Sequence, residues 1–213
     1  GIKNLERSFN PYKYAYLVSF LNEITTCIFR PKDFYKINVL NRISLSLIII
    51  ISGILGGNKS TQLIGQEGMR FIGGVLPVNF ILLVISKSFK LDFNALCFFS
   101  FKLISVRIFL TRYASWLMND LPGNFSKKLN RPIDTSYYEA IVEGLIPFII
   151  SVTIKNRKLV NYLCISIYTL SRCIVEFSKN KYNNTLIKNN ITKKFSIGQI
   201  DTIIFFINMI STI

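Results

Sequence analysis

Seven mostly apolar runs, 15 to 23 residues long, are joined by links rich in lysine, arginine and asparagine. A bilayer core about 30 Å thick takes ~20 helical residues to cross, and no water there satisfies an open backbone group. Runs this continuous, without polar alternation, suit helices and not the strands of a barrel. They fall at 12–29, 43–57, 71–86, 95–117, 137–154, 159–177 and 197–213. The expected fold is therefore an all-α integral membrane protein. It has about seven transmembrane helices in one bundle, with 1–213 as a single transmembrane domain.

Composition supports this reading. A mean hydropathy of +0.39 over 213 residues is high for a soluble domain. The net charge of +15 comes from 26 Lys+Arg against 11 Asp+Glu, and the lysines gather in the links between runs. Basic links meet anionic lipid headgroups. With no basic helix and no aromatic-and-basic sheet pattern, no nucleic-acid partner is expected. The chain contains no histidine, which removes imidazole acid–base catalysis and histidine metal sites. Cys27, Cys97, Cys164 and Cys173 all lie within apolar runs and form no CxxC pair. They read as small apolar residues, and neither metal nor cofactor is expected. The sequence opens at Gly1 without an initiator methionine, and no cleavable signal peptide is expected at its start.

Orientation follows from short basic loops. The link Lys155–Lys158 (KNRK) reads as cytoplasmic, and Arg30, Lys32, Lys36 and Arg42 agree. The lysine-rich link before the seventh run argues the other way.

Charges inside the runs are the candidates for function, because arginine at bilayer depth costs about 2.5–3.5 kcal/mol unless it faces protein, water or a partner. Tyr168, Arg172 and Glu176 are spaced i, i+4, i+8 and so share one helix face. Arg172 and Glu176 either neutralise one another or serve a site. Lys102 and Arg107 are expected to snorkel or pair. Arg112 is the charge most expected to act. Glu139 and Glu143 either cap the first turns of the fifth helix, favoured there by its dipole, or serve a site. The glycine pairs Gly56–Gly57 and Gly73–Gly74 suit close helix packing.

Taken in order, these stretches resemble the prolipoprotein diacylglyceryl transferase family. YTLSRCIVEFSK resembles its G-Y-G-x-F-R-x-x-V-E-F-x-R pattern through Tyr168, Arg172, Val175, Glu176, Phe177 and Lys179. SYYEAIVEGLIPFII resembles Q-L-Y-E-x-x-x-E-G-x-x-x-F through Tyr138, Glu139, Glu143, Gly144 and Phe148. TRYASWLMNDLPGNF is similar to G-R-x-G-N-F-x-N-G-E-x-x-G through Arg112, Trp116, Asp120 and Gly123. QEGMRFIGG resembles G-G-M-S-F-H-G-G through Gly68, Met69, Phe71, Gly73 and Gly74. FSIGQ resembles the S-M-G-Q segment through Ser196, Gly198 and Gln199. YKYAYLVSF resembles Y-G-L-M-Y-L-V-G-F through Tyr12, Tyr16, Leu17, Val18 and Phe20. Departures are Ile72 where the family has histidine, and Ala114, Ser115 and Asn119 for its signature glycines and asparagine. Asp120 stands for its glutamate, and Asn58 follows Gly56–Gly57 where the family has arginine.

The resemblance implies transfer of the diacylglyceryl group of phosphatidylglycerol to the lipobox cysteine thiol of a prolipoprotein, in the bacterial inner membrane. Arg112 would bind the lipid phosphate, since a planar guanidinium holds phosphate oxygens bidentately. Arg172 would be the second cation, oriented by Glu176. Tyr12 and Tyr168 would hydrogen-bond lipid or carboxylate. Asp120, Gly123 and Gly73 would shape the lipid site. The nucleophile is the substrate's thiol, and no residue is assigned to take its proton. Two readings remain open here: a working transferase, or an inactive homologue that keeps only the fold.

Overall fold

The computed structural model of this chain describes residues 10–29, 38, 40–41, 43–44, 47–48, 50–52, 55, 71–119, 123, 125–128, 130–178, 203, 206–207 and 210. Their elements are α1 (Pro11–Phe29), α2 (Phe71–Phe89), α3 (Phe93–Leu117), β1 (Phe125–Ser126), β2 (Arg131–Pro132), α4 (Thr135–Glu139), α5 (Ile146–Thr153) and α6 (Arg157–Ser178). Five of the seven expected helical runs thus lie largely within the described residues. The second and seventh lie mostly outside them, although every described position in 40–55 and 203–210 is helical.

Short polar signals set the helix ends. The Asn10 side chain accepts from the Tyr12 amide at 3.1 Å, and Pro11 opens α1, where a missing N–H matters least. Asp92 accepts from the Asn94 amide at 3.0 Å to cap α3. Asn156, inside the basic KNRK link, accepts from Leu159 N–H at 3.1 Å to start α6. Lys90 and Asn119 follow α2 and α3 at φ 52° and 53°, the left-handed turn that stops a helix. A two-residue antiparallel pairing, Phe125 with Pro132 and Ser126 with Arg131, makes the link after α3 a small hairpin.

α4 and α5 form one continuous rod. Between them Ala140–Leu145 makes a π-helical turn in which the Ile146 amide reaches the Ile141 carbonyl. The cause lies in Pro147: it has no N–H, and its ring crowds the carbonyl four residues back, so the preceding turn widens. α3 packs against all the other helices of this set. The rod runs antiparallel to it, with Ser136 beside Ser115 at one end and Gly144 against Phe109 further along. Asn161 of α6 donates to the Asn94 carbonyl at 3.0 Å, and Cys97, Ile108, Ile165 and Tyr168 fill the space between α3 and α6.

Polarity is distributed inside-out. Leu17, Val18 and Leu21 of α1, Ile149 and Val152 of α5, and Leu170 and Ile174 of α6 face outward. Glu23, Glu139, Glu143, Asn161 and Arg172 are buried. Apolar surface on this scale calls for a partner or a bilayer. Among the described residues one helix, Phe93–Leu117, is long and apolar enough to cross a membrane.

The expectation for Arg107 is met by a specific partner: its guanidinium lies 2.8 Å from Glu23 and ties α3 to α1. Glu23→Leu alone strands that cation and is expected to cost about 3 kcal/mol, whereas Glu23→Leu with Arg107→Leu recovers most of the loss. Unfolding in mixed micelles measures this, and additivity of the two changes would refute the pairing. Cys97 and Cys164 are buried free thiols and Cys173 is half-buried, in line with their apolar reading.

Candidate functional site

Helices from three parts of the sequence bring four charged side chains together. Glu139 ends α4 and is 1% exposed. One of its carboxylate oxygens lies 2.9 Å from Arg112 Nε of α3, the other 2.8 Å from a terminal nitrogen of Arg172 on α6. Arg172 Nε lies 3.3 Å from Glu143 Oε2. The other oxygen of Glu143 accepts from the Ser171 hydroxyl at 3.0 Å. Tyr168, one turn before Arg172, places its hydroxyl 3.4 Å from Arg172 Nε, and the guanidinium lies 5.8 Å from its ring centroid. Two cations and two carboxylates make the cluster neutral overall, which lets it exist at depth.

The local fold explains why these groups meet. Tyr168 and Arg172 share a face of α6 by their four-residue spacing. Glu139 and Glu143 flank the start of the π-helical turn and look toward the same neighbours. Gly144, the next residue, lets the rod lie directly on the backbone of α3: a Cβ there would sit 2.5 Å from Phe109 N. That approach brings Glu139 within reach of Arg112, less than one turn further along α3.

Arg112 and Arg172 therefore converge on one carboxylate. Their exposures differ: the Arg112 side chain is 24% accessible and that of Arg172 8%. Arg112 is the more exposed of the two cations. Just beyond it, Tyr113, Trp116 and Tyr137 form a chain of rings with centroids 5.3 and 5.2 Å apart. Rings of this type collect where a membrane meets water.

Other expected site residues are placed less fully. Tyr12 lies in the first turn of α1, half-buried. Gly123 is buried, and its N–H donates to the Ile133 carbonyl at 3.0 Å, holding the hairpin link against the start of α4. Asp120 lies outside the described residues, as do Ser196, Gly198 and Gln199. Gly73 and Ile72 lie within α2 and Glu176 within α6, but their surroundings are outside the description.

Glu139, Glu143 and Ser171 are the residues sequence reasoning left without a settled role. Capping does not account for the two acids, since each pairs with arginine from another helix. A usable signal was present: two carboxylates four apart in an apolar run of a strongly basic chain. A cleft of about 620 Å³ between α1, α3 and α5, lined by Asn22, Thr25, Lys102 and Phe148 among others, does not include any member of this cluster.

Comparison with known proteins gives the same family. Two relatives, the phosphatidylglycerol–prolipoprotein diacylglyceryl transferases of Rickettsia bellii strains OSU 85-389 and RML369-C, are each 29% identical over 128 residues. The match covers 52% of this chain and 49% of each relative, so the chain spans about half the length of the curated relatives it matches. The family pattern of prolipoprotein diacylglyceryl transferase extends much further, over residues 12–213. With a match across nearly its whole length, the chain belongs to the prolipoprotein diacylglyceryl transferase family.

Proposed function

We propose that this chain is a multi-pass protein of the bacterial inner membrane, one domain of about seven transmembrane helices. It transfers the diacylglyceryl group of phosphatidylglycerol to the lipobox cysteine thiol of a prolipoprotein. The observation that carries this reading is the shared carboxylate: Arg112 and Arg172 are both held by Glu139, 2.9 and 2.8 Å away. A phosphodiester can take the place of a carboxylate on a guanidinium with the same two-pronged geometry.

On this reading Arg112, the more accessible cation, swings from Glu139 to the lipid phosphate. Arg172 stays fixed by Glu139 and Glu143 and adds its field. As the glyceryl carbon–oxygen bond breaks, negative charge grows on the departing phosphate, and two guanidinium groups in a low-dielectric setting stabilise it. Tyr168 and Tyr12 supply hydrogen bonds to lipid or carboxylate, Glu176 supports Arg172, and Asp120, Gly123 and Gly73 shape the headgroup site. No cofactor or metal takes part. The relatives are named for action on a prolipoprotein, and on this reading the acceptor is its cysteine thiol.

Replacement of the family histidine by Ile72 favours a second reading, an inactive homologue. Complementation of a transferase-depleted bacterium separates the two. The wild-type chain is expected to restore growth and lipidate a precursor, and Arg112→Ala is expected to lower the lipidation rate at least ~10²-fold, as for loss of a charge-stabilising group. A wild-type chain that inserts in the membrane and lipidates nothing leaves only the inactive reading.

A further inference from the structure

The reaction needs a group to take the thiol proton, and a chain without histidine must find it elsewhere. The geometry points to Glu143 as that proton acceptor, through its Oε2 atom; this rests on the transferase reading above. Glu143 is 2% exposed and projects into the arginine cluster. Its Oε1 accepts from Ser171, while the buried Oε2 makes no hydrogen bond and has Arg172 Nε at 3.3 Å as a longer ionic contact. A buried carboxylate oxygen with no hydrogen bond and one longer ionic contact gains a proton at less loss than one held at 2.8–2.9 Å by a guanidinium.

The neighbouring acid is a poorer acceptor. Glu139 has one oxygen on Arg112 and the other on Arg172, so protonating it removes a charge-assisted bond and releases a guanidinium. The groups facing Glu143 are Arg172, Tyr168 and Ser171 from α6, Arg112 from α3, and Glu139 on its own rod. None is a better base: two are cations, two are hydroxyls, and one is Glu139.

Charge count supports the same choice. Two arginines and two glutamates are neutral together, and a bound phosphodiester makes the site −1. Losing the thiol proton to bulk water would make it −2, away from high dielectric. Passing that proton to Glu143 keeps the total at −1. In the balanced step the sulfur–hydrogen bond breaks and the proton goes to Glu143 Oε2. The sulfur forms a bond to the glyceryl carbon, and the carbon–oxygen bond breaks with its electron pair on the phosphate oxygen. The proton then leaves with the glycerol phosphate, and the carboxylate is restored.

The test measures lipidation of a synthetic precursor in phosphatidylglycerol vesicles by the full chain. Glu143→Gln keeps the shape and the Ser171 bond but cannot take a proton, and is expected to lower the single-turnover rate about 10²–10⁴-fold. Glu143→Asp is expected to keep more of it. A precursor with selenocysteine at the lipobox position brings a nucleophile already ionised at neutral pH. It is expected to return Glu143→Gln to within tenfold of wild type, but not to rescue Glu139→Gln, where the arginines are displaced. A Glu143→Gln rate within threefold of wild type would overturn the assignment. So would failure of the selenol to rescue it, or equal rescue of Glu176→Gln with Glu143→Gln left unrescued. Failure of the wild-type chain with both precursors strikes at the transferase reading itself.

Discussion

Replacing Glu139 by leucine is expected to destabilise the chain by about 3–5 kcal/mol and to abolish the proposed transfer, the largest loss from any single change in the cluster. The size follows from its two partners. Glu139 holds two cations, at 2.9 and 2.8 Å, while itself 1% exposed. Without it Arg112 can turn toward water, since its side chain is 24% accessible. Arg172, at 8%, cannot, and among the described carboxylates it keeps Glu143, at the longer distance of 3.3 Å. Glu139→Gln is expected to be milder because an amide oxygen still accepts from one guanidinium. If, as proposed, phosphatidylglycerol binds at this site, it supplies a replacement anion, and the lipid should raise the unfolding midpoint of Glu139→Gln more than that of wild type. Unfolding of purified protein in neutral and anionic mixed micelles measures both effects. Equal stability of wild type and Glu139→Leu in neutral micelles would show that the carboxylate does not carry the two cations.

This arrangement was half legible in the sequence. The cations stood out because charge in an apolar run needs a reason, and Tyr168 and Arg172 were placed together by a four-residue spacing that survives in the structure as a 3.4 Å contact. The acids were harder to read. Local periodicity offers Arg172 only neighbours on its own helix, which is why Glu176 is the partner a single helix suggests. Among the described residues, the acids Arg172 meets lie on the previous rod, and one is 33 residues away. Pairing across helices depends on how rods lean together, and that is decided by close-packing positions such as Gly144. The π-helical turn was equally hidden: Pro147 hints at a disturbed helix, but not at a wide turn with the carboxylates set at its start. Helix existence was the easiest feature to read. The run expected at 95–117 occurs as Phe93–Leu117 and the one at 137–154 as a rod ending at Thr153, because length and apolar content are local properties.

Gly144 carries the second large effect. Adding a methyl group there is expected to lower stability by about 1–3 kcal/mol, as overpacking does, and to reduce transfer by more than the stability loss explains. The new Cβ would meet Phe109 N at 2.5 Å, Cα at 2.6 Å and Cβ at 2.7 Å, roughly 1 Å short of ordinary contact. Two of those atoms are backbone of α3, so no rotamer change clears them, and the rod has to move off α3. Glu143 adjoins Gly144 in sequence and Arg112 follows Phe109 by three residues, so the same displacement opens the 2.9 Å contact between Arg112 and Glu139. Shifts of 1 Å in a positioned charge are enough to lower a rate about 10²-fold. Adding Phe109→Ala to Gly144→Ala should not restore activity, because truncating that ring leaves the obstructing backbone where it was. Gly144→Leu should prevent stable insertion altogether. Lipidation rates and micelle unfolding of the three variants separate the contributions. Recovery of Gly144→Ala by Phe109→Ala would mean that ring packing, and not backbone approach, sets the distance between the two rods.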